Sequence, residues 1–344
     1  MQPTRRKISD VQSIPTVIET TSIVPPPREP ITRTPGFRMF ASRMFRMCQK
    51  FGVNITPKHF YWPIPDLGTL DHKDWTASEL SPAVDLGLPR QVQFLEQHLL
   101  RFAPEWDFPE SPSQVEEQFH FNNGYFERVD AEIAYSLVRH FQPKRIIEVG
   151  SGNSTKVLAE ALSRNGEEGY PGELISIEPH PAPVLQKPGL TRLIAKPVQS
   201  VPLDLFETLE ENDILFLDSS HVVSVGSDVV HEFLHILPVL KPGVVVHIHD
   251  IFIPWDYPKK FVMTNLCFWG EQYMLQAFMS YNRDFKVIWA GSAMQSFHPE
   301  ALALHFPGWM GSYERMSPSL QVFSPTLDGK NVWPCSFWMQ RTGG

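Results

Sequence analysis

The sequence of 344 residues predicts an α/β protein with a Rossmann-like, doubly wound and mostly parallel sheet of about seven strands. The first supporting observation is that short apolar runs alternate with amphipathic helical patterns from about residue 120 onward. The second is that acidic residues and histidines recur just after those runs. Ligands bind at such strand ends in open α/β sheets, so these residues are the candidates for function.

Seven apolar runs account for the predicted strands, and helical patterns separate most of them. In chain order the runs are RIIEV, ELISIE, TRLIAK, DILFLD, GVVVHIH, FKVIWAG and CSFWMQR. The spacing of apolar residues predicts helices over 127–141, 154–163, 228–240 and 265–281. Strands and helices that alternate in this order are typical of a sheet with helices on both faces.

Composition divides the chain into three segments. Residues 1–35 are rich in Pro, Thr and charged residues, which predicts a flexible tail. Residues 36–119 are predicted to form a helical cap or extension, and residues 120–344 the α/β domain. The segment 36–52 has helical spacing, so it is either a membrane-surface helix or, as we favour, a helix that docks on this protein or on a second copy. The extension therefore predicts a homo-oligomer contact.

Charge and cysteine content argue against several classes of protein. The formal net charge of −8 provides no basic surface for nucleic acid. No apolar run approaches the roughly 20 residues of a membrane span, and no signal-peptide pattern opens the sequence. The three cysteines, Cys48, Cys267 and Cys335, lack metal-type spacing, which favours a reduced, cytoplasmic setting.

The first predicted strand ends in the turn VGSGNST. Gly150 and Gly152 permit a tight turn with close backbone approach, and Ser154 or Thr155 can cap the next helix. Thr155 is a poor match to the third small residue of a dinucleotide fingerprint. The second strand ends at Glu178, a carboxylate suited to accept hydrogen bonds from a ribose diol.

With Glu148 before the glycines, this region resembles the class I S-adenosylmethionine-dependent methyltransferases. Their motif E/D-x-G-x-G is matched by Glu148, Gly150 and Gly152, and the resemblance covers about residues 120–340. It implies S-adenosyl-L-methionine as the cofactor. The cofactor-binding residues that it implies are Glu148, Gly150, Ser151, Gly152, Ser154, Thr155, Glu178 and Asp218.

The fourth and fifth strands end in acidic residues and histidines. Asp218 ends the fourth strand, His221 follows three residues later, and the fifth strand runs into His249 and Asp250. The family's strand order makes these two strands neighbours, so Asp218 and Asp250 are expected to converge. Two such carboxylates repel each other unless a proton or a divalent cation compensates them.

This pattern is most similar to the metal-dependent small-molecule O-methyltransferases of natural-product sugars. The resemblance implies Asp218 and Asp250 as metal ligands and His221 as the general base acting on a small hydroxylated molecule. His249 stands where that subfamily has a carboxylate, and imidazole is a poor Mg²⁺ ligand but suits Fe, Mn, Co or Zn. Three interpretations of the possible divalent metal (Mg, Mn or Fe) stay open: the site uses a metal softer than Mg that His249 binds, His249 lies outside the ligand set, or no metal binds.

Several other residues are expected to serve the site or the core. The loop DIFIPWDYPKKF predicts substrate contacts at Trp255, Asp256 and Tyr257. Glu271 and Gln272 either face inward or form an exposed first helical turn. His247 is expected to be a hydrogen-bonded core residue, and the aromatic stretch HFYWPIPD either walls a pocket or ties the N-terminal segment to the core.

Three other functions compete with metal-assisted O-methylation. The catalytic residues predicted for that reaction are His221, Asp218 and His249. One competing function is metal-independent methyl transfer to N or C, in which His221 and His249 handle protons alone. Another is a non-haem-iron-type metalloenzyme, because two histidines and a carboxylate suit that metal. The third is a noncatalytic binding protein, against which the intact glycine turn and Glu178 argue.

Overall fold

The computed structural model describes residues 35–56, 58, 61–186, 191–309, 326–327, 330–331 and 334–343. Residues 1–34 of the predicted tail, and His59 and Phe60 of the aromatic stretch, lie outside the described residues. The chain separates into two compact units, Met1–Leu70 and Asp71–Gly344. The segment boundaries at residues 35 and 119 stay predictions.

The first unit contains the helix that the sequence predicted over residues 36–52. Helix α1 spans Pro35–Gln49, and a short helix α2 spans Leu67–Leu70. The side chains of Met39 and Phe40 on α1 are more than half exposed. In the described part of the chain no helix is both long and apolar enough to cross a membrane. The cytoplasmic setting and the homo-oligomer stay predictions.

The second unit is built on a seven-stranded sheet, which confirms the predicted fold class. Its strands are β1 Arg145–Val149, β2 Glu173–Ile177, β3 Arg192–Ile194, β4 Ile214–Leu217, β5 Val245–Ile248, β6 Phe285–Ala290 and β9 Phe337–Arg341. Their order in the sheet is β3-β2-β1-β4-β5-β9-β6. Strands β1 to β5 run parallel, whereas β9 is antiparallel to both β5 and β6. A separate ladder pairs β7 Thr326–Leu327 with β8 Lys330–Asn331.

Helices flank the sheet, and they lie before β1 and between the later strands. They are α3 Leu88–Phe94, α4 Asp130–Phe141, α5 Asn153–Glu167, α6 Asp204–Glu207, α7 Asp228–His231, α8 Leu237–Val239, α9 Lys259–Met263, α10 Glu271–Met279, α11 Gly291–Phe297 and α12 Pro299–His305. The single helix predicted over 228–240 is interrupted by a π-helical turn at Glu232–Ile236.

The single helix predicted over 265–281 is wrong in its first part. Residues 265–270 form a loop, and α10 begins only at Glu271. Leu266 has a positive φ, and the Cys267 N–H donates to the Phe261 carbonyl, so this segment turns back toward α9. Apolar spacing alone did not show this turn.

The strands bury residues on both faces of the sheet. Ile147 and Val246 pack into one core cluster, while Ile146 and Val245 pack into the other. Successive side chains of a strand point to opposite faces, so a strand that is covered on both sides must be apolar throughout. This is why the strands appear in the sequence as continuous apolar runs.

Candidate active site

The strand order brings the predicted site residues to one edge of the sheet. The strands β2, β1, β4 and β5 are adjacent and parallel. Glu178 follows β2, Gly150 follows β1, Asp218 follows β4 and His249 follows β5. Residues that lie 28 to 99 positions apart in the chain therefore meet at the carboxyl ends of four neighbouring strands.

The two glycines of the turn after β1 differ in their surroundings. Gly150 has a φ of +77°, and a Cβ atom there would lie 1.8 Å from the backbone oxygen of Asp218. Only glycine is compatible with that approach. Gly152 has an extended φ of −176°, and a Cβ there would meet nothing within 4 Å. Gly150 is therefore fixed by packing, while Gly152 borders open space.

Glu148 is fully buried beside this turn. Its carboxylate accepts hydrogen bonds from the hydroxyls of Ser154 at 2.9 Å, Thr155 at 2.7 Å and Ser176 at 2.8 Å. Burial raises the pKa of Glu148 to about 7, although these hydrogen bonds act to lower it. Glu148, Ser154 and Thr155 thus hold the turn and the start of α5 together, and their direct contact with a cofactor stays a prediction.

Glu178 lies next to the glycine turn. One carboxylate oxygen accepts the His180 N–H at 2.7 Å, and the other lies 3.4 Å from the Ser151 nitrogen, which donates to it. The residue is half-buried, so its carboxylate is both positioned and accessible. This arrangement suits a carboxylate that accepts hydrogen bonds from a diol.

His221 lies among three carboxylates. Its Nδ1 is 2.8 Å from Glu271 Oε2, and its Nε2 is 3.3 Å from Asp250 Oδ2 and 3.6 Å from Asp218 Oδ1. Burial would lower the pKa of His221, but the hydrogen bond to Glu271 and the charges of Asp250 and Asp218 raise it to about 9. The Trp269 ring covers the imidazole at 4.6 Å between centroids.

The backbone at this edge has two non-glycine residues in the left-handed region. His221 has a φ of 61° and Asp250 a φ of 54°. Such conformations cost free energy, and they cluster at sites where the surrounding structure fixes a side chain for function. Both residues belong to the predicted site.

His249 faces a different set of partners with each ring nitrogen. Its Nδ1 lies 3.5 Å from Asp218 Oδ1 and 3.9 Å from Asp250 Oδ1. Its Nε2 lies 3.6 Å from Cys335 Sγ and 3.8 Å from Asp130 Oδ2. Burial would lower the pKa of His249, but Cys335, Asp218 and Asp250 hold it well above its usual range.

Asp218 retains its negative charge beside these imidazoles. Burial would raise the pKa of its carboxyl, but His249 and His221 outweigh burial and hold that pKa well below its usual range. Its side chain is 29% exposed, so the charge is partly accessible to solvent at this edge of the sheet.

His247 is a core residue, as the sequence predicted. It is fully buried, its Nε2 lies 2.9 Å from the Ser336 hydroxyl, and its ring stacks on Phe216 at 3.7 Å. Burial lowers the pKa of His247 well below its usual range, so it stays neutral.

The predicted substrate-contact residues hold the loop after β5 in place. The Trp255 indole N–H donates to a serine hydroxyl of α11 at 2.7 Å. Asp256 pairs with Lys73 at 3.1 Å, and the Tyr257 hydroxyl accepts the Gln272 N–H at 2.9 Å. Tyr257 is only 2% exposed. Their contact with a substrate stays a prediction.

The structure adds residues that the sequence did not assign to the site. Glu271 faces inward and contacts His221, which settles the choice that the sequence left open. Asp130 begins α4, where an acidic residue is ordinary. Cys335 precedes the apolar strand β9. No local pattern marked Asp130 or Cys335, because each meets its partners only in the folded chain.

The described residues include one group of three metal-type ligand atoms that lie within 4.8 Å of one another, and it consists of Asp130, His249 and Cys335. The predicted trio of Asp218, Asp250 and His249 is not such a group. Both of its carboxylates instead pair with the imidazoles of His221 and His249.

Comparisons with known proteins identify one domain and one relative. A family model described as a methyltransferase domain matches residues 147–251, which include the glycine turn and the ends of β4 and β5. An uncharacterized protein of Archaeoglobus fulgidus is 32% identical over 177 residues, which cover 48% of this chain and 78% of that protein.

Solved methyltransferase structures are similar only at a low level. An O-methyltransferase from Bacillus cereus in complex with SAH is 16% identical with a TM-score of 0.32, covering 57% of this chain and 82% of that one. The MycE methyltransferase from the mycinamycin biosynthetic pathway, in complex with Mg and SAH, is 13% identical with a TM-score of 0.32, covering 71% of this chain and 54% of that one. Values this low carry no argument about the chemistry of this chain.

Proposed function

Because the chain belongs to the class I S-adenosylmethionine-dependent methyltransferases, we propose that it methylates a hydroxyl oxygen of a small molecule. The observation that carries this proposal is the placement of His221. Its Nδ1 contacts the buried Glu271, and its Nε2 faces the acidic edge of the sheet next to the glycine turn. A histidine oriented in this way is suited to take a proton from a hydroxyl group.

The residues of the turn fit the cofactor. Gly152 borders open space, and Glu178 offers a positioned, half-buried carboxylate for the ribose hydroxyls. When bound, S-adenosylmethionine supplies an electrophilic methyl group on a positively charged sulfur. Asp218 keeps a negative charge at this edge, and such a charge favours a cationic ligand.

Glu271 orients His221 for proton transfer. An Nδ1–H that donates to Glu271 leaves Nε2 as the nitrogen that accepts a proton. A pKa of about 9 keeps the imidazole mostly protonated at neutral pH. The neutral form increases as the pH rises toward 9, so the proposed base gains activity in that direction.

Divalent-metal assistance through Asp218, Asp250 and His249 is a separate hypothesis. Both carboxylates pair with imidazoles, so the arrangement does not fit one shared ion, and we assign no step to a metal there. A chelator tests the hypothesis. If turnover falls with chelator and Mg²⁺ restores it in the wild type but not in Asp250→Asn, the ion takes part. Unchanged turnover with chelator contradicts metal assistance.

The proposed function is tested with labelled cofactor and a panel of small phenols, sugar hydroxyls and amines. His221→Asn should lower kcat by roughly 10²- to 10⁴-fold because it removes the base, while cofactor affinity stays unchanged. His231→Asn is the matched control, since His231 lies on α7 against His235. Methyl transfer to amines alone, or full activity of His221→Asn, would contradict the proposal.

A further inference from the structure

Three metal-type side chains meet in the interior at the ends of α4, β5 and β9. Asp130 is the first residue of α4, His249 follows β5, and Cys335 lies two residues before β9. They are 2%, 5% and 5% exposed. The group uses His249 Nε2, which is the ring nitrogen that faces away from Asp218.

The three ligand atoms form a nearly equilateral triangle. Cys335 Sγ lies 3.6 Å from His249 Nε2 and 3.7 Å from Asp130 Oδ2, and the last two atoms are 3.8 Å apart. The centre of such a triangle lies about 2.1 Å from each atom, close to Zn–N and Zn–O bond lengths and about 0.2 Å below the Zn–S length. A small displacement of the ion from the plane lengthens all three bonds.

Hydrogen bonds account for only two of the three distances, since the Cys335 thiol lies within sulfur hydrogen-bonding distance of His249 Nε2 and Asp130 Oδ2. An N–H···O hydrogen bond needs about 2.7 to 3.2 Å, and His249 Nε2 is 3.8 Å from Asp130 Oδ2. The side chains are therefore close and buried, yet too far apart for a direct hydrogen bond between imidazole and carboxylate. A shared ion would explain both features.

Backbone contacts fix the three positions. Asp130 accepts the Cys335 N–H at 2.9 Å, the Ile251 N–H donates to the Cys335 carbonyl at 2.9 Å, and the His249 N–H donates to the Leu217 carbonyl at 3.0 Å. Ligands that are held in this way by their surroundings lose little freedom when an ion binds.

We infer that Asp130, His249 and Cys335 bind a transition-metal ion of the Zn²⁺ type. Thiolate and imidazole favour Zn²⁺, Co²⁺ or Fe²⁺ over Mg²⁺. On binding, the Cys335 thiol and the Nε2–H of the protonated His249 each release one proton to solvent, so one thiolate and one carboxylate balance the two charges of the ion. Three protein ligands leave a further position, and Asp250 Oδ1 lies 3.4 Å from Cys335 Sγ.

This site would position the acidic residues at the carboxyl ends of β4 and β5. With Nε2 on the ion, His249 carries its proton on Nδ1, which lies 3.5 Å from Asp218 Oδ1. Metal-bound histidines commonly donate their second N–H to a carboxylate in this way. The inference goes beyond the proposed methyl transfer and does not depend on it.

Cobalt titration of the metal-free, full-length protein tests the site. One equivalent of Co²⁺ should produce visible absorption typical of four-coordinate cobalt and a near-ultraviolet thiolate-to-cobalt band. Cys335→Ser should lose the near-ultraviolet band and weaken binding by more than the roughly 10- to 100-fold that outer-shell changes cost. Cys267→Ser is the matched control, because Cys267 lies outside the group and is partly exposed.

A wild-type spectrum without the thiolate band would overturn the inference, and so would a band that persists in Cys335→Ser. The wild-type spectrum alone decides if Cys335→Ser does not fold. Calorimetry with S-adenosylmethionine on the same preparation separates the two hypotheses. Cofactor binding without the cobalt band overturns the metal site and leaves the proposed methyl transfer standing. A cobalt band without cofactor binding supports the metal site and contradicts the proposed methyl transfer.

Discussion

Replacing Glu271 with Gln should lower the pKa of His221 and move the pH dependence of methyl transfer to lower pH. The amide oxygen of Gln can still accept the Nδ1–H, so the orientation of the imidazole is retained and mainly the negative charge is lost. A general base acts in its neutral form, and activity therefore rises with pH until the base is deprotonated.

The size of this effect follows from the contacts of His221. Its pKa stands at about 9 against an ordinary 6.5, a difference of about 3.4 kcal/mol. Glu271 is the nearest of three carboxylates, at 2.8 Å against 3.3 Å and 3.6 Å. Removing its charge should take away at least a third of that effect, so the pKa should fall by roughly 1 to 2 pH units.

The assay is the pH profile of kcat/KM, which reports the ionisation of the free enzyme. The wild-type profile should rise with pH and have its midpoint near pH 9, and the midpoint for Glu271→Gln should lie roughly 1 to 2 units lower. Glu300→Gln is the control, because Glu300 also pairs with a histidine, His298, but is 72% exposed.

An unchanged profile in Glu271→Gln would refute the reasoning about His221. A profile that shifts equally in Glu300→Gln would show that general charge, and not the buried contact, controls the ionisation. Direct titration of His221 by NMR must give the same direction of change as the kinetics.

The remaining predictions concern the glycine turn. Gly150→Ala should lower the melting temperature, since its Cβ would collide with the Asp218 carbonyl, whereas Gly152→Ala should keep the melting temperature and weaken cofactor binding in calorimetry. Equal effects of the two changes would contradict these separate roles. The pKa of Glu148 is about 7 in the folded protein, against 4.5 for an ordinary glutamate. Between these pH values the folded protein holds a proton that the unfolded chain has lost. The free energy of unfolding should therefore fall by up to about 3 kcal/mol as the pH rises from 4.5 to 7. Urea unfolding of Glu148→Gln should lack this decrease, and a decrease that persists would show that another group causes it.

The strand ends could be predicted because each is marked by local sequence. Buried parallel strands are continuous apolar runs, and the first polar residue after a run, such as Asp218 or Glu178, marks the functional edge. The need for glycine at position 150 also followed from the turn, although its cause, the approach of the Asp218 carbonyl, appeared only in the structure.

Contacts between distant segments could not be predicted in this way. Asp130 and Cys335 are 205 residues apart, and neither has a local pattern that announces the other. The sequence also left the role of His249 undecided, because the identity of a residue does not show that its two ring nitrogens face different partners. The start of α10 was missed since loop and helix share the same apolar spacing there.

The central claim is tested most directly by calorimetry with S-adenosylmethionine. The wild type should bind one equivalent in the micromolar range. Glu178→Ala should bind S-adenosylmethionine roughly 10- to 100-fold more weakly. This loss corresponds to about 1.5 to 3 kcal/mol of binding free energy, as expected for hydrogen bonds to a charged carboxylate. Glu173→Ala, at the opposite end of β2, should bind as the wild type does. No heat with the wild type, or equal affinity in Glu178→Ala, would contradict the claim.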